Sequence, residues 1–69
     1  MITLTEIHKF QLFCLENYKI SKKISGKEAL KEFEQTAVFS FLADGYKALH
    51  TQGLEYIIAQ ITDFIERRK

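Results

Sequence analysis

The sequence predicts an all-α fold: a compact bundle of three main helices, over about 4–19, 26–37 and 52–68, plus one short helix over about 40–50. Three observations support this prediction. The chain has no proline, which would interrupt a helix, and only three glycines divide it. Its C-terminal stretch also places apolar residues within an arc of about 120° on a helical wheel, as a half-buried helix does.

The first predicted helix, over about 4–19, begins at a capping box. Thr3 offers a hydroxyl to a backbone amide, and Glu6 follows three residues later, where its carboxylate reaches back to the amide of Thr3. Apolar residues then recur at steps of three and four. The predicted inward face is Ile7, Phe10, Cys14 and Tyr18, with Leu4 and Leu15 beside them.

The second predicted helix, over about 26–37, begins at a similar signal. Ser25 and Glu28 have the spacing of a second capping box, and Ile24 is placed to act as a hydrophobic staple. Like charges at i,i+4 make this helix depend on tertiary packing. Its predicted inward residues are Ala29, Leu30, Phe33 and Ala37.

The third segment is rich in aromatic and branched residues, a composition that a buried strand also shares. No second β-rich run is available to pair with it, and the apolar residues follow a spacing of three, four and three. These are Phe39, Leu42, Tyr46 and Leu49. The pattern favours a short helix over about 40–50, with an interruption expected at Gly45 because glycine weakens a helix by about 1 kcal/mol.

The last predicted helix, over about 52–68, has Thr51 as its N-cap. Asp63 and Arg67 form a favourable i,i+4 pair, and the basic end of the chain, including Lys69, suits the C-terminus of the helix dipole. We expect this helix to be the surface onto which the others fold. Its predicted inward residues are Leu54, Ile57, Ile58, Ile61, Phe64 and Ile65.

Length and composition narrow the classes of protein. A chain of 69 residues is expected to form one domain, 1–69. One cysteine permits no internal disulfide, which predicts cytoplasmic localisation. A formal net charge of +1 lacks the strong basic character of nucleic-acid-binding domains. No apolar run approaches a membrane span, and the N-terminus from Met1 onward lacks signal-peptide features, so we expect a native start and no membrane association.

Few residues suit catalysis or metal binding. His8 and His50 are the two histidines, and Cys14 is the sulfur ligand that could join them. Cys14 lies on the predicted inward stripe, however, where a thiol is inert as a nucleophile and points away from His8. We therefore expect no catalytic residues, no cofactor and no metal, and interpret the protein as non-enzymatic.

A basic patch links the end of the first predicted helix to the second. It consists of Lys19, Lys22, Lys23, Lys27 and Lys31. Such a patch could contact a phosphate backbone, and a helix-turn-helix module has a similar size. The near-neutral total charge and the scarcity of base-reading side chains on the second helix argue against this. A small helix-turn-helix-like nucleic-acid-binding regulator is therefore the alternative function.

Leu12, Phe13 and Tyr56 lie outside the simple inward stripes. Leu12 and Phe13 widen the apolar face of the first helix, while Tyr56 falls on the polar face of the last. Isolated apolar surface residues are ordinary, but small chains often gain stability by association. We therefore predict a surface that contacts a protein partner or a second copy, and a function as a small helical protein-interaction module.

Three blocks of the sequence resemble a family of very short bacterial proteins known as a domain of unknown function. They are Glu16-Asn17-Tyr18, Ser25-Gly26-Lys27-Glu28 and the block Tyr46-x-x-Leu49-His50-Thr51-Gln52-Gly53. The resemblance spans nearly the whole chain. Members are often encoded beside larger proteins that look like ADP-ribosyltransferase toxins, so the resemblance implies an antitoxin-like or accessory partner in the bacterial cytosol.

The resemblance brings no functional residues, and it marks only motif positions: Tyr46, His50, Thr51 and Gln52. Considered physically, these polar residues shape the corner before the last helix. Thr51 would cap that helix, while His50 and Gln52 would bond to loop carbonyls. A ligand site at this corner is the alternative interpretation.

Overall fold

The computed structural model describes residues 2–68, which form helices joined by short turns. The helices are α1 (Leu4–Lys22), α2 (Gly26–Gln35), α3 (Val38–Asp44), α4 (Tyr46–Leu49) and α5 (Leu54–Arg68). None of the described residues lies in a strand, so the predicted all-α bundle is confirmed. The expectations for Met1 and Lys69 lie outside the described residues.

Side-chain caps fix the beginnings of α1 and α2. The Glu6 amide donates to Thr3 Oγ1 at 3.1 Å and the Thr3 amide donates to the Glu6 carboxylate, which completes the predicted capping box. The Glu28 amide likewise donates to Ser25 Oγ at 3.1 Å. The Glu28 carboxylate accepts from the Ser25 hydroxyl rather than from its amide, so the second predicted box is a single N-cap. Ile24, the predicted staple, packs against the core.

The end of α1 differs from the prediction, because the helix continues from Lys19 to Lys22. Lys23 ends it in the left-handed conformation, with φ 57° and ψ 44°. In this conformation the amides of Lys23 and Ile24 donate to carbonyls of the last helical turn. Glycine is the usual residue at such a position, and its absence here explains why the predicted boundary is wrong.

A second left-handed residue, Ala37, separates α2 from α3. Its φ of 61° turns the chain sharply, so α2 ends at Gln35 and α3 begins at Val38 rather than near residue 40. Ala37 is exposed, which corrects its predicted inward position, while the next residue, Val38, is fully buried. Because of this turn, Val38 rather than Ala37 packs in the core.

The interruption predicted at Gly45 is confirmed, since it separates α3 from α4. A Cβ at Gly45 would lie 3.1 Å from Leu49 Cδ1 and 3.2 Å from the carbonyl oxygen of Phe41. These distances are tighter than ordinary van der Waals contact. A glycine at this position lets the short helix α4 approach the end of α3 closely.

The core draws on all the helices, with α1 in contact with α2, α3 and α5. Its buried residues are Phe10, Cys14, Tyr18, Ala29, Phe33, Val38, Leu42, Leu49, Ile57, Ile61 and Ile65. The predicted stripe of α5 is confirmed, because every fourth residue from Ile57 is buried and both Ile58 and Phe64 are partly buried. The other helices do not all fold onto α5 as expected, however: α5 packs mainly against α1 and α3, whereas α1 packs against α2, α3 and α5.

Besides Ala37, the predicted inward faces are wrong at three residues near helix ends or on helix flanks. Leu4 begins α1 and is exposed to solvent. Leu30 lies on the outer flank of α2, and Leu54 lines a groove between α1 and α5 rather than the core. A helical wheel cannot identify these residues as exposed, because it does not show where neighbouring helices end.

Candidate functional site

The residues considered for catalysis or metal binding do not form a reactive group. Cys14 is fully buried, and burial raises the pKa of its thiol to about 12. A thiol so protonated and inaccessible is a poor nucleophile. Across residues 2–68, no three side chains of the His, Cys, Asp or Glu type come together in a way that could hold a metal ion.

None of the helices in the described part of the chain has the length and apolar character needed to cross a membrane. Three sets of residues that the sequence predicts as candidate sites lie at the surface of the protein. They are the polar corner around Tyr46, the basic patch near the start of α2, and the apolar residues outside the inward stripes.

The polar corner is held by bonds to carbonyls of α4. His50 Nδ1 lies 2.6 Å from the carbonyl oxygen of Tyr46, and because a carbonyl only accepts, Nδ1 is the protonated nitrogen. The Tyr46 and His50 rings stack with centroids 4.3 Å apart and planes at 2°. Gln52 Nε2 donates to the Ala48 carbonyl at 3.5 Å. These contacts close the C-terminal end of α4 and support the structural interpretation of the corner.

Thr51 does not have the role predicted for it. Its hydroxyl donates back to the Ala48 carbonyl at 3.4 Å instead of capping α5. The helix begins at Leu54, and the Gly53 carbonyl accepts its first bond, from the Ile57 amide at 3.1 Å. Gly53 therefore occupies the cap position, and the predicted start at residue 52 is early.

The basic patch is divided among several local contacts. Lys19 forms an ion pair with Glu16 at 3.1 Å, and the Lys22 ammonium lies 5.8 Å from the centroid of the Tyr18 ring. Lys23 ends α1, whereas Lys27 and Lys31 lie on α2 beside Glu34. The resulting surface mixes both signs of charge rather than presenting a continuous cationic face.

The apolar residues outside the stripes are exposed, as the sequence analysis expected for a contact surface. Leu12 and Phe13 lie on the outer side of α1, and Tyr56 on the outer side of α5. Ile20 continues the exposed face of α1 beyond Phe13 and is 67% exposed. Exposed apolar residues thus occur on both α1 and α5.

A groove of about 690 Å³ runs between the C-terminal part of α1 and the length of α5. We call it the α1–α5 groove. Its apolar walls include Ile20 from α1 and Leu54 and Ile58 from α5. Concave apolar surface of this kind is the usual form of a binding site, and it is larger than the other two depressions described on this surface.

The charge along the groove is mainly acidic. Three carboxylates line it, from Glu55, Asp63 and Glu66, together with one ammonium, from Lys22. Asp63 also accepts from Arg67 at 2.9 Å, which confirms the predicted i,i+4 pair. The groove therefore combines an apolar floor with a net negative edge.

Two residues of the groove were not predicted to line a surface site: Ile20 was given no role, and Leu54 was expected to face the core. Ile20 lay beyond the predicted end of α1 and so was assigned to no face. Had the helix been extended to Lys22, Phe13 and Ile20 would have fallen on one side at a spacing of seven residues. That continued face is the signal that could have identified this side of the groove.

A second, smaller depression lies between α3 and α5, and its aromatic residues pack against each other. The Phe41 and Phe64 rings stack with centroids 4.3 Å apart, and the Arg68 guanidinium lies 3.8 Å from the centroid of Phe64. The cation thus covers the outer aromatic face, a contact that stabilises the junction of α3 and α5.

A family model described as a protein of unknown function, DUF3791, matches residues 9–68. No curated protein and no solved structure matches the chain.

Proposed function

The chain belongs to the DUF3791 family of proteins of unknown function, which confirms the predicted resemblance to a family of that kind, and we propose that it is a non-enzymatic protein-interaction module. In this proposal it acts in the bacterial cytoplasm as an antitoxin-like or accessory partner of a protein encoded beside it. The observation that supports the proposal is the exposed apolar surface of α1 and α5, which includes the α1–α5 groove. Leu12, Phe13 and Tyr56, which were predicted for this surface, are exposed but do not line the groove.

The apolar residues at the groove would be more stable in a complex than in water. Ile20 and Leu54 line opposite walls, and both retain exposed side-chain surface. Complete burial of such a side chain is worth about 1.5–3 kcal/mol, so a few of them can dominate an interface. Phe13 and Tyr56 provide further apolar and aromatic surface on the same two helices.

The buried state of Cys14 supports the non-enzymatic part of the proposal, since this thiol has neither access to a substrate nor a low pKa.

Nucleic-acid binding through the basic patch is the competing hypothesis. The pairing of Lys19 with Glu16 and the proximity of Glu34 to Lys27 and Lys31 weaken the field that such binding requires. We expect the protein to leave a heparin column at low salt. Steeply salt-dependent retention, abolished when Lys27 and Lys31 are changed to glutamine, would favour the regulator instead.

The proposal is tested by co-expressing the chain with the protein encoded beside it and measuring the mass of the purified complex. Ile20→Glu should weaken the complex about tenfold or more, because a charge is then buried in an apolar contact. Leu4→Glu is a matched control, since Leu4 is 72% exposed and Ile20 67%. Absence of a complex, or equal weakening by the two changes, would contradict the proposal.

A further inference from the structure

We infer that the α1–α5 groove binds an amphipathic helix with a basic edge, contributed by the partner protein. The inference rests on the proposed function and specifies the chemistry of the partner's element. An apolar groove between two helices is a common receptor for a third helix, whose apolar residues at i, i+3 or i+4, and i+7 act as anchors.

The length of the groove suits such an occupant. It extends along α5 from Leu54 to Glu66, a distance of about 18 Å at a rise of about 1.5 Å per residue. A helix of about three turns would match this length. Its apolar anchors would meet Leu54, Ile58 and Ile20, which line the groove on both sides.

The charged residues of the groove indicate which charge should flank the apolar face of the bound helix. Glu55, Asp63 and Glu66 line the groove together with Lys22. Asp63 is paired with Arg67, Glu66 has an interaction of its own, and Lys22 lies 5.8 Å from the centroid of the Tyr18 ring. Glu55 is therefore the carboxylate that the occupant's edge would meet. Lysine or arginine beside the apolar anchors would complement this edge, while an acidic helix would be repelled.

A second copy of the chain fits the groove less well. Outside the groove, an exposed apolar face that it could offer lies on α1 and includes Leu12 and Phe13. That face is flanked by both signs of charge, Lys9 and Glu16, so it lacks the uniformly basic edge that the groove selects. A partner helix of different sequence is therefore the better complement.

The test uses two labelled synthetic peptides of about 14 residues, both designed as helices with leucine anchors. One carries lysine along both edges of the apolar stripe, and the other carries glutamate at the same positions. Binding to the full chain is measured by fluorescence anisotropy at about 50 mM and about 300 mM salt. The lysine peptide should bind about fivefold or more tightly than the glutamate peptide at low salt, with a smaller difference at high salt.

Variants of the chain localise the effect. Glu55→Lys should weaken the lysine peptide about fivefold, and Leu54→Glu at least as much. Glu34→Lys and Leu30→Glu on α2 are the matched controls, because both residues are exposed and lie away from the groove. These controls should leave binding within about twofold of the unchanged protein.

Several outcomes would overturn the inference: equal affinity for the two peptides, no binding of either, equal effects of groove and control variants, or dimers of the chain that Leu54→Glu dissolves. If the co-expressed complex still forms and remains sensitive to Ile20→Glu, the proposed function stands and only the occupant is wrong. If that complex is also absent, the proposed function fails as well.

Discussion

The Tyr18 hydroxyl donates a hydrogen bond of 2.6 Å to the Glu32 carboxylate, and this bond ties α1 to α2 at the edge of the core. Burial raises the pKa of the Tyr18 phenol, and the bond to Glu32 and the negative charges of Glu32 and Glu66 raise it further. The phenol is therefore held as a neutral donor, and the contact fixes the orientation of the two helices.

Tyr18→Phe should reduce the free energy of unfolding by about 1.5 kcal/mol, because a hydrogen bond to a charged acceptor is lost while the ring contacts remain. Urea unfolding followed by circular dichroism measures the change. Tyr56→Phe serves as the control, since Tyr56 is exposed, and it should alter stability by less than about 0.5 kcal/mol. Equal effects of the two substitutions would contradict the role given to Tyr18.

Alkaline pH should destabilise the protein through Cys14. Burial raises the pKa of this thiol from its ordinary value of 9.0 to about 12. The stabilising contribution is complete below about pH 9 and is lost as the pH rises toward about 12, because unfolding then releases a proton. From about pH 9 to about pH 10, the free energy of unfolding should decrease by about 1 kcal/mol more in the unchanged protein than in Cys14→Ala.

The experiment requires a reducing agent, so that the thiol is not oxidised at high pH. The subtraction of the Cys14→Ala curve removes the contributions of tyrosines and lysines that titrate in the same range. Parallel curves for the two proteins would show that Cys14 is not protected by burial in the folded state.

Replacing either left-handed residue, Lys23 or Ala37, with glycine should stabilise the protein. Each has φ near 60°, at 57° and 61°, where a side chain carries a steric cost that glycine avoids. Lys23→Gly and Ala37→Gly should each raise the unfolding free energy by about 1 kcal/mol. Ala59→Gly, inside α5 and exposed, should lower it by about 1 kcal/mol, and the opposite signs are the test.

The buried stripe of α5 should dominate stability. Ile61 is fully buried, and Ile61→Ala should cost about 3 kcal/mol through lost transfer energy and the cavity left behind. Leu4→Ala removes a similar volume at an exposed position and should cost less than about 0.5 kcal/mol. Thermal unfolding of both variants measures the contrast, and similar costs would show that burial of the α5 stripe does not stabilise the bundle.

The parts of the fold that follow from local patterns were predictable. The stripe of α5 repeats every third or fourth residue, the Thr3 cap is a local motif, and Gly45 breaks a helix by its intrinsic preference. The left-handed turns at Lys23 and Ala37 were not predictable, because neither residue type favours that conformation. Those two turns displaced the predicted ends of α1 and α2.

The candidate site depended on these turns and on tertiary contacts. Leu12, Phe13 and Tyr56 were recognisable as outward residues from their positions on a helical wheel. The α1–α5 groove, which none of these three residues lines, was not recognisable, since Ile20 joins its wall only because α1 continues to Lys22. Packing decides which side of a helix is left open, and a single sequence does not reveal it.

The most direct test of the proposed interaction surface compares two variants that differ in position but not in exposure. Leu54 at the groove is 38% exposed and Leu30 on α2 is 40% exposed. The affinity of the co-encoded protein for Leu54→Glu and for Leu30→Glu is measured by isothermal titration calorimetry, after both variants are shown to be folded. We expect Leu54→Glu to lose about tenfold or more and Leu30→Glu less than about twofold. Equal losses, or a larger loss for Leu30→Glu, would contradict the assignment of the α1–α5 groove as the site of interaction.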